Sequence, residues 1–214
     1  MVPEINQRYK CDPFATHQPI LIEVLKKVRK NIIELGCGHG STLLIKHMLK
    51  PLQKLVSIES DYEWYAKYRG YADENHSLYY VHASNDDINE TGEKWVKFIH
   101  EKVAEIDFEL VFIDQSPWTA RSYCLNYFKN KAKYIMVHDV DYFPSSGKWG
   151  TIISSERKGK NVKFEMDFSD IAHSFRVYYP PYDYFQCETG PPTLLCSNLV
   201  CREELQLSLG TYYR

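Results

Sequence analysis

The stretch NIIELGCGHGST, residues 31–42, sets a short apolar run carrying Glu34 against a turn with glycines at 36, 38 and 40. Glycine inside an element costs about 0.5–1 kcal/mol relative to alanine. Three of them in five positions therefore mark a place where backbone turns sharply or approaches a ligand closely. The residues before the turn read as a buried strand, and those from Ser41 onward as a helix. Strand, glycine turn and helix form the opening unit of a doubly wound α/β sheet.

The rest of the chain repeats that rhythm. Upstream, THQPILIEVLKKVRK reads as a helix with Thr16 as its N-cap and Ile20, Ile22, Leu25 and Val28 on one face. Downstream, KLVSIES, SLYYVHAS, FELVFID and AKYIMVHDV read as strands. DYEWYAKYRGYA, INETGEKWVKFIHEKVAE and TARSYCLNYFKN lie between them as helices, the second with Trp95, Ile99 and Val103 at helical spacing. Apolar strands separated by helices pair in parallel through right-handed crossovers. In the tail, WGTIISSE reads as a short helix, and SFRVYYP and TLLCSNLV as strands that end the sheet. The expected architecture is one α/β domain over residues 1–214, a mostly parallel seven-stranded sheet with helices on both faces. Its ligands belong at the carboxyl ends of the strands.

Bulk composition excludes several classes. With 214 residues, 44% hydrophobic and 25% charged, the chain is an ordinary globular one. A net charge of −2 gives no electrostatic footprint for nucleic acid. The longest apolar runs fall far short of the roughly 20 residues that cross a bilayer, and the N-terminus has no apolar signal core. Six cysteines without a CxxC pair read as reduced thiols of an intracellular, cytoplasmic protein. The missing leader equally fits a module of a larger multi-domain chain. Seventeen tyrosines either line a groove or are half-buried in the ordinary way.

Two ligand classes use a glycine turn after the first strand. Dinucleotide sites use G-x-G-x-x-G, and here the third position is Ser41. A carboxylate such as Glu34 would repel a pyrophosphate, and it suits a ligand bearing an ammonium group. ELGCGHG is similar to the E/D-x-G-x-G-x-G motif of class I S-adenosylmethionine-dependent methyltransferases. Glu59 ends the second strand, where a carboxylate takes both ribose hydroxyls, about 20 residues on as a ribose acid should be. The resemblance, which covers most of residues 15–145, implies a Rossmann-like class I methyltransferase fold. It further implies that S-adenosylmethionine is held by Glu34, Gly36, Gly38, Gly40 and Glu59, with Asp114 beside it. The end of the third strand, His82, Ala83, Ser84 and Asp86, is expected at the adenine, and ATHQP, residues 15–19, over the methionine part.

Methyl transfer to a hydroxyl needs a base, and a divalent cation often lowers the hydroxyl pKa. The fourth strand ends in Asp114; the fifth ends in His138 and Asp139, with Asp141 beyond. Oxygen-rich sites of this kind suit Mg²⁺ or Mn²⁺. The arrangement resembles macrocin-type and related sugar and natural-product O-methyltransferases, which implies Asp114, Asp139 and Asp141 as metal ligands and His138, Asp114 and Asp139 as catalytic groups. Many relatives carry a histidine soon after the strand-four aspartate. This chain has IDQSPWTA there, so the base stays open between His138 and Asp114. The overall look is also similar to methyltransferase domains that end large chlorella-virus glycosyltransferases, which implies a glycan acceptor such as a deoxysugar.

YYPPYDYF contains Pro180, Pro181 and Tyr182, reminiscent of an amino-methylating nucleic-acid motif. Tyr179 stands where that motif needs Asp, Asn or Ser, and the stretch follows the wrong strand. The segment reads instead as an acceptor-pocket wall, with Trp118, Tyr142 and Trp149 either joining it or serving as core aromatics. The sequence thus points to an O-methyltransferase acting on a sugar hydroxyl. A catechol-like small-molecule enzyme and a non-catalytic S-adenosylmethionine-binding module are the alternatives.

Overall fold

A computed structural model describes residues 15–83, 88–143, 148–152, 164–180 and 190–209. Five parallel strands form its centre: β1 Asn31–Leu35, β2 Leu55–Glu59, β3 His76–Tyr80, β4 Phe108–Ile113 and β5 Tyr134–His138. Two tail strands, β9 Ser174–Tyr178 and β10 Thr193–Ser197, complete a seven-stranded sheet in the order β3-β2-β1-β4-β5-β10-β9. β10 runs antiparallel to both of its neighbours, so the last strand in sequence sits inside the sheet. The order reverses between β1 and β4, and both strands point their carboxyl ends at the same crevice.

Side-chain alternation along each strand sorts the core into two layers. Ile33, Leu35, Val111, Ile113, Ile135 and Val137 pack under α4 (Ile88–Val103) and α5 (Ala120–Phe128). Trp95, Ile99 and Val103, three positions on one helical face, are buried there, each contributing about 1.5–3 kcal/mol. Ile32, Leu110, Phe112 and Met136 face the other way, against α1 (Gln18–Lys27), with Ile45 of α2 (Thr42–Met48) in the same layer. The same parity sends Glu34, Asp114 and His138 toward the α1 side, two residues beyond Ile32, Phe112 and Met136.

Two expectations change and one open alternative is decided. Thr16 is not the cap of α1: His17 holds that position and no side chain caps the helix. Lys148–Ile152, expected within a short helix, is strand β7 of a second sheet, in the order β6-β7-β8, with β6 Asp141–Phe143 and β8 Phe164–Asp167. Cross-strand pairing and the burial of Trp149 against Phe168 and Phe175 override the local pattern. Trp149 is therefore a core aromatic, not a pocket wall. Among the described residues no helix is long and apolar enough to cross a membrane.

Candidate active site

The glycine turn is compressed from both sides. Gly36 donates its N–H to the Ile58 carbonyl at 2.8 Å, and Asp114 donates to the Leu35 carbonyl at 2.8 Å. Gly36 has φ +91°, and a Cβ there would lie 2.7 Å from the Gln115 backbone, so no other residue fits without moving β4. At Gly40 a Cβ would come within 3.0 Å of His17 Nε2. The turn thus depends on glycine partly because neighbouring strands and the α1 lead-in press on it.

Glu34 is fully buried, with Oε1 accepting from Thr42 Oγ1 at 3.1 Å and Oε2 from Ser57 Oγ at 2.7 Å. Ser57 in turn meets His76 Nε2 at 2.9 Å. The carboxylate does not reach the cavity wall. It ties the turn to α2 and β2. Burial raises its carboxyl from the ordinary 4.5 to about 7, against the hydroxyl bonds that oppose this and with a small push from Glu59.

That shift has a pH signature. Below the ordinary 4.5 both folded and unfolded chains carry protonated Glu34; between there and about 7 only the unfolded chain ionises. Stability from this group is therefore lost as pH rises through that window. Glu34→Gln removes the titration and lets Ser57 and His76 reverse their hydrogen bond. Thermal unfolding across the range should show the variant gaining on the native chain, by up to about 3 kcal/mol above neutrality. A difference independent of pH would refute the assignment.

Glu59 ends β2 with its carboxylate fixed by three backbone amides: Cys37 at 2.6 Å, Ser60 at 2.7 Å and Asp61 at 2.8 Å. Asp61 also caps α3 (Tyr62–Tyr68), accepting from the amides of Glu63 and Trp64. Glu59 and the glycine turn are thus one hydrogen-bonded unit. Beyond β3, His82 is exposed and Ala83 packs against the core, while Ser84 and Asp86 lie outside the described residues. So does Pro181–Tyr182 of the Pro/Tyr segment, and the side chain of Tyr142.

At the ends of β4 and β5 the chain assembles a charged cluster. His138 Nδ1 lies 3.1 Å from Asp114 Oδ1, and His138 Nε2 lies 3.0 Å from Thr16 Oγ1. Thr16 donates its single hydroxyl proton to the Pro191 carbonyl at 2.7 Å, so its oxygen accepts from Nε2. Burial pushes the Asp114 carboxyl upward, but His138, Arg121 and His17 together bring it down to about 2. An ionised Asp114 only accepts, so both ring nitrogens of His138 donate in this arrangement. Arg121, buried on α5, bonds the Gln115 carbonyl at 3.0 Å, the His138 carbonyl at 2.6 Å and Asp114 Oδ1 at 3.2 Å.

His17 completes the group, its ring edge-on to His138 at 4.5 Å between centroids and 4.9 Å from Phe112. It is buried, and neither ring nitrogen reaches a partner in hydrogen-bonding geometry. Burial, then the neighbouring His138, push it down to about 3, against weaker pulls from Asp114 and the Gly40 backbone. His17 is thus a neutral imidazole aimed into a site.

His17, Asp114, Arg121 and His138 line a cavity of about 890 Å³ together with Cys37, Gly38, Gly40, Trp64, Trp118, Asp139 and Asp141. Asp139 and Asp141 are half-buried on its wall, and Asp139 sits in the left-handed region at φ +54°, which Asp tolerates better than most residues. The residues fit S-adenosylmethionine: a glycine turn open to the cavity, an amide-locked acid behind it, and an orphaned buried imidazole beside it. They do not fit the expected oxygen-rich metal site. Among the described residues, the group that could hold a metal ion is instead His17, Asp114 and His138, whose ligand atoms lie within 4.8 Å of one another, without Asp139 or Asp141. Of these, Asp114 Oδ1 already accepts from His138 and Arg121, and His138 has both nitrogens engaged.

Arg121 went unmarked as a site residue in the sequence, and Thr16 and His17 were expected only within ATHQP over the methionine part, not beside His138. For Arg121 a signal existed: it shares a helical face with Cys124, Leu125 and Phe128, all buried, and a cation on an apolar face has a partner to meet.

No protein-family model matches the chain, and no curated protein does. Among solved structures it overlays the spermidine synthase of Thermotoga maritima with a TM-score of 0.50 at 14% identity, covering 95% of this chain and 69% of the other. A Klebsiella pneumoniae protein described as an O-methyltransferase gives 0.50 at 16% identity over 86% of this chain and 81% of the other. The fold is thus the Rossmann-like fold of class I methyltransferases, with a mostly parallel seven-stranded sheet. One fold hosts several chemistries, so the reaction is argued from the site.

Proposed function

We propose that this chain is an S-adenosylmethionine-dependent O-methyltransferase whose acceptor is a sugar hydroxyl on a glycan or deoxysugar. The observation that carries the reading is the Asp114–His138 pair at 3.1 Å, set on the cavity wall beside the glycine turn. When bound, S-adenosylmethionine supplies a methyl group on a positively charged sulfur. Once His138 has given up the Nε2 proton that it donates to Thr16 here, it takes the acceptor's proton on Nε2, with the acceptor hydroxyl in the place Thr16 now holds. Asp114 keeps Nδ1–H and so fixes the ring and steadies the imidazolium that forms. The acceptor oxygen, relieved of its proton by His138, would then take the methyl that the bound cofactor would supply, with the sulfur leaving as a neutral thioether.

A sugar is favoured by the walls. Trp64 and Trp118 offer aromatic faces for a pyranose ring, and Asp139 and Asp141 offer acceptors for its remaining hydroxyls. The acidic lining also suits a cationic cofactor and discourages nucleic acid. The four described cysteines are free thiols, which supports an intracellular setting.

The test is calorimetric titration with S-adenosylhomocysteine, then methyl release over glycosides, phenols and oligonucleotides. Turnover on a glycoside alone is expected. Turnover on a phenol instead would shift the reading to a catechol-like enzyme, binding without turnover to a non-catalytic module, and absence of binding would end it. Glu59→Ala should weaken S-adenosylhomocysteine binding by about 1–3 kcal/mol, the worth of hydrogen bonds to a charged group. An unchanged affinity would mean that the ribose lies elsewhere.

A further inference from the structure

Arg121 is the one buried arginine or lysine of the described cavity wall, only 3% exposed. It donates hydrogen bonds to the Gln115 carbonyl, the His138 carbonyl and Asp114 Oδ1, at the ends of β4 and β5 that were expected to hold a divalent ion. The guanidinium carbon lies 5.9 Å from the centre of the Trp118 ring. Three carboxylates, Asp114, Asp139 and Asp141, share that cavity.

We infer that Arg121 takes the place of the divalent cation in this site, as a positioning residue that compensates the acids and clamps the base. Three features make the substitution work. First, a guanidinium keeps its proton at any pH the fold survives, so the charge is permanent and needs no metal supply. Second, its bond to the His138 carbonyl and its bond to Asp114 act on both members of the pair at once, holding the imidazole where a metal would otherwise order the site. Third, Asp114 Oδ1 is occupied by two donors, so a metal at that oxygen would have to displace a side chain that the Gln115 and His138 carbonyls also hold in place. The arrangement also explains why Asp139 and Asp141 stand apart from Asp114 rather than converging on it.

The inference deepens the O-methyltransferase reading, but its main test does not need that reading. Mn²⁺ is titrated into the native chain, Arg121→Met and Arg121→Lys, and bound ion is followed by loss of the free-ion electron paramagnetic resonance signal. The native chain and Arg121→Lys should show no saturable binding below millimolar Mn²⁺. Arg121→Met, uncharged and of similar length, should bind at least tenfold more tightly, with its folding checked by cooperative thermal unfolding. Methyl transfer by the native chain should be unchanged in EDTA, and Arg121→Lys should retain more of it than Arg121→Met.

Micromolar Mn²⁺ binding by the native chain, or turnover lost in EDTA and restored by Mn²⁺, overturns the inference. So does a folded Arg121→Met that gains no affinity. If that variant fails to fold, the native and lysine titrations still decide. If no acceptor is ever methylated, the functional reading falls while the Mn²⁺ titrations stand on their own.

Discussion

Asp114→Asn is expected to destabilise the chain by about 3 kcal/mol near neutral pH, because it leaves Arg121 buried without its counter-charge. The estimate takes the lower end of the range for breaking a buried pair, since the Asp114 side chain is 22% exposed while that of Arg121 is 4%. Asparagine keeps the shape, so no cavity contributes. The effect carries a pH signature of its own. Asp114 is held at about 2, below the ordinary 3.8, so its stabilisation is present above the ordinary value and is lost as pH falls toward the folded one. Native and variant unfolding free energies should therefore converge in acid and separate above about pH 4. A variant equal to the native chain at neutral pH would show that Arg121 is compensated elsewhere.

The second large effect is on turnover. His138→Ala should lower methyl transfer by about 10²- to 10⁴-fold, the usual worth of a positioned general base, with S-adenosylhomocysteine affinity nearly unchanged. Loss of a base leaves a distinct trace: the residual rate should climb steadily with pH as the acceptor hydroxyl ionises unaided. His138→Gln, which can keep a contact with Thr16, should be as slow as alanine if proton transfer is the role, and much faster if the ring is only a strut. Retained turnover in both variants would hand the base to Asp114, the alternative that the sequence left open.

The two predictions are coupled through one hydrogen-bond chain. Pro191, Thr16, His138, Asp114 and Arg121 are linked in series, and each passes its orientation to the next. Removing Asp114 should therefore slow methyl transfer as well as destabilise the fold. A double variant of Asp114 and His138 should lose little more turnover than the worse single one, as groups acting in a unit do.

What the sequence by itself determined is local. The alternation of strands and helices through β5, the glycine turn at 36–40 and the acids ending strands are all set by short-range pattern, and each of those elements lies where that pattern put it. Strand parity even carried Asp114 and His138 to one side of the sheet. What only the tertiary structure decided is which groups meet. Thr16 reaches His138 across 122 positions and Pro191 across 175, and no periodicity reports such a pairing. Hydroxyls from α2 and β2 likewise close over Glu34, which ends a strand beside the glycines. The place of β10 between β5 and β9 was equally hidden, because strand order is chosen by long-range packing and not by any strand's own residues. Arg121 shows the division most clearly: its helical face was legible, but the carboxylate that makes its burial tolerable comes from another element, and only the fold brings the two charges together.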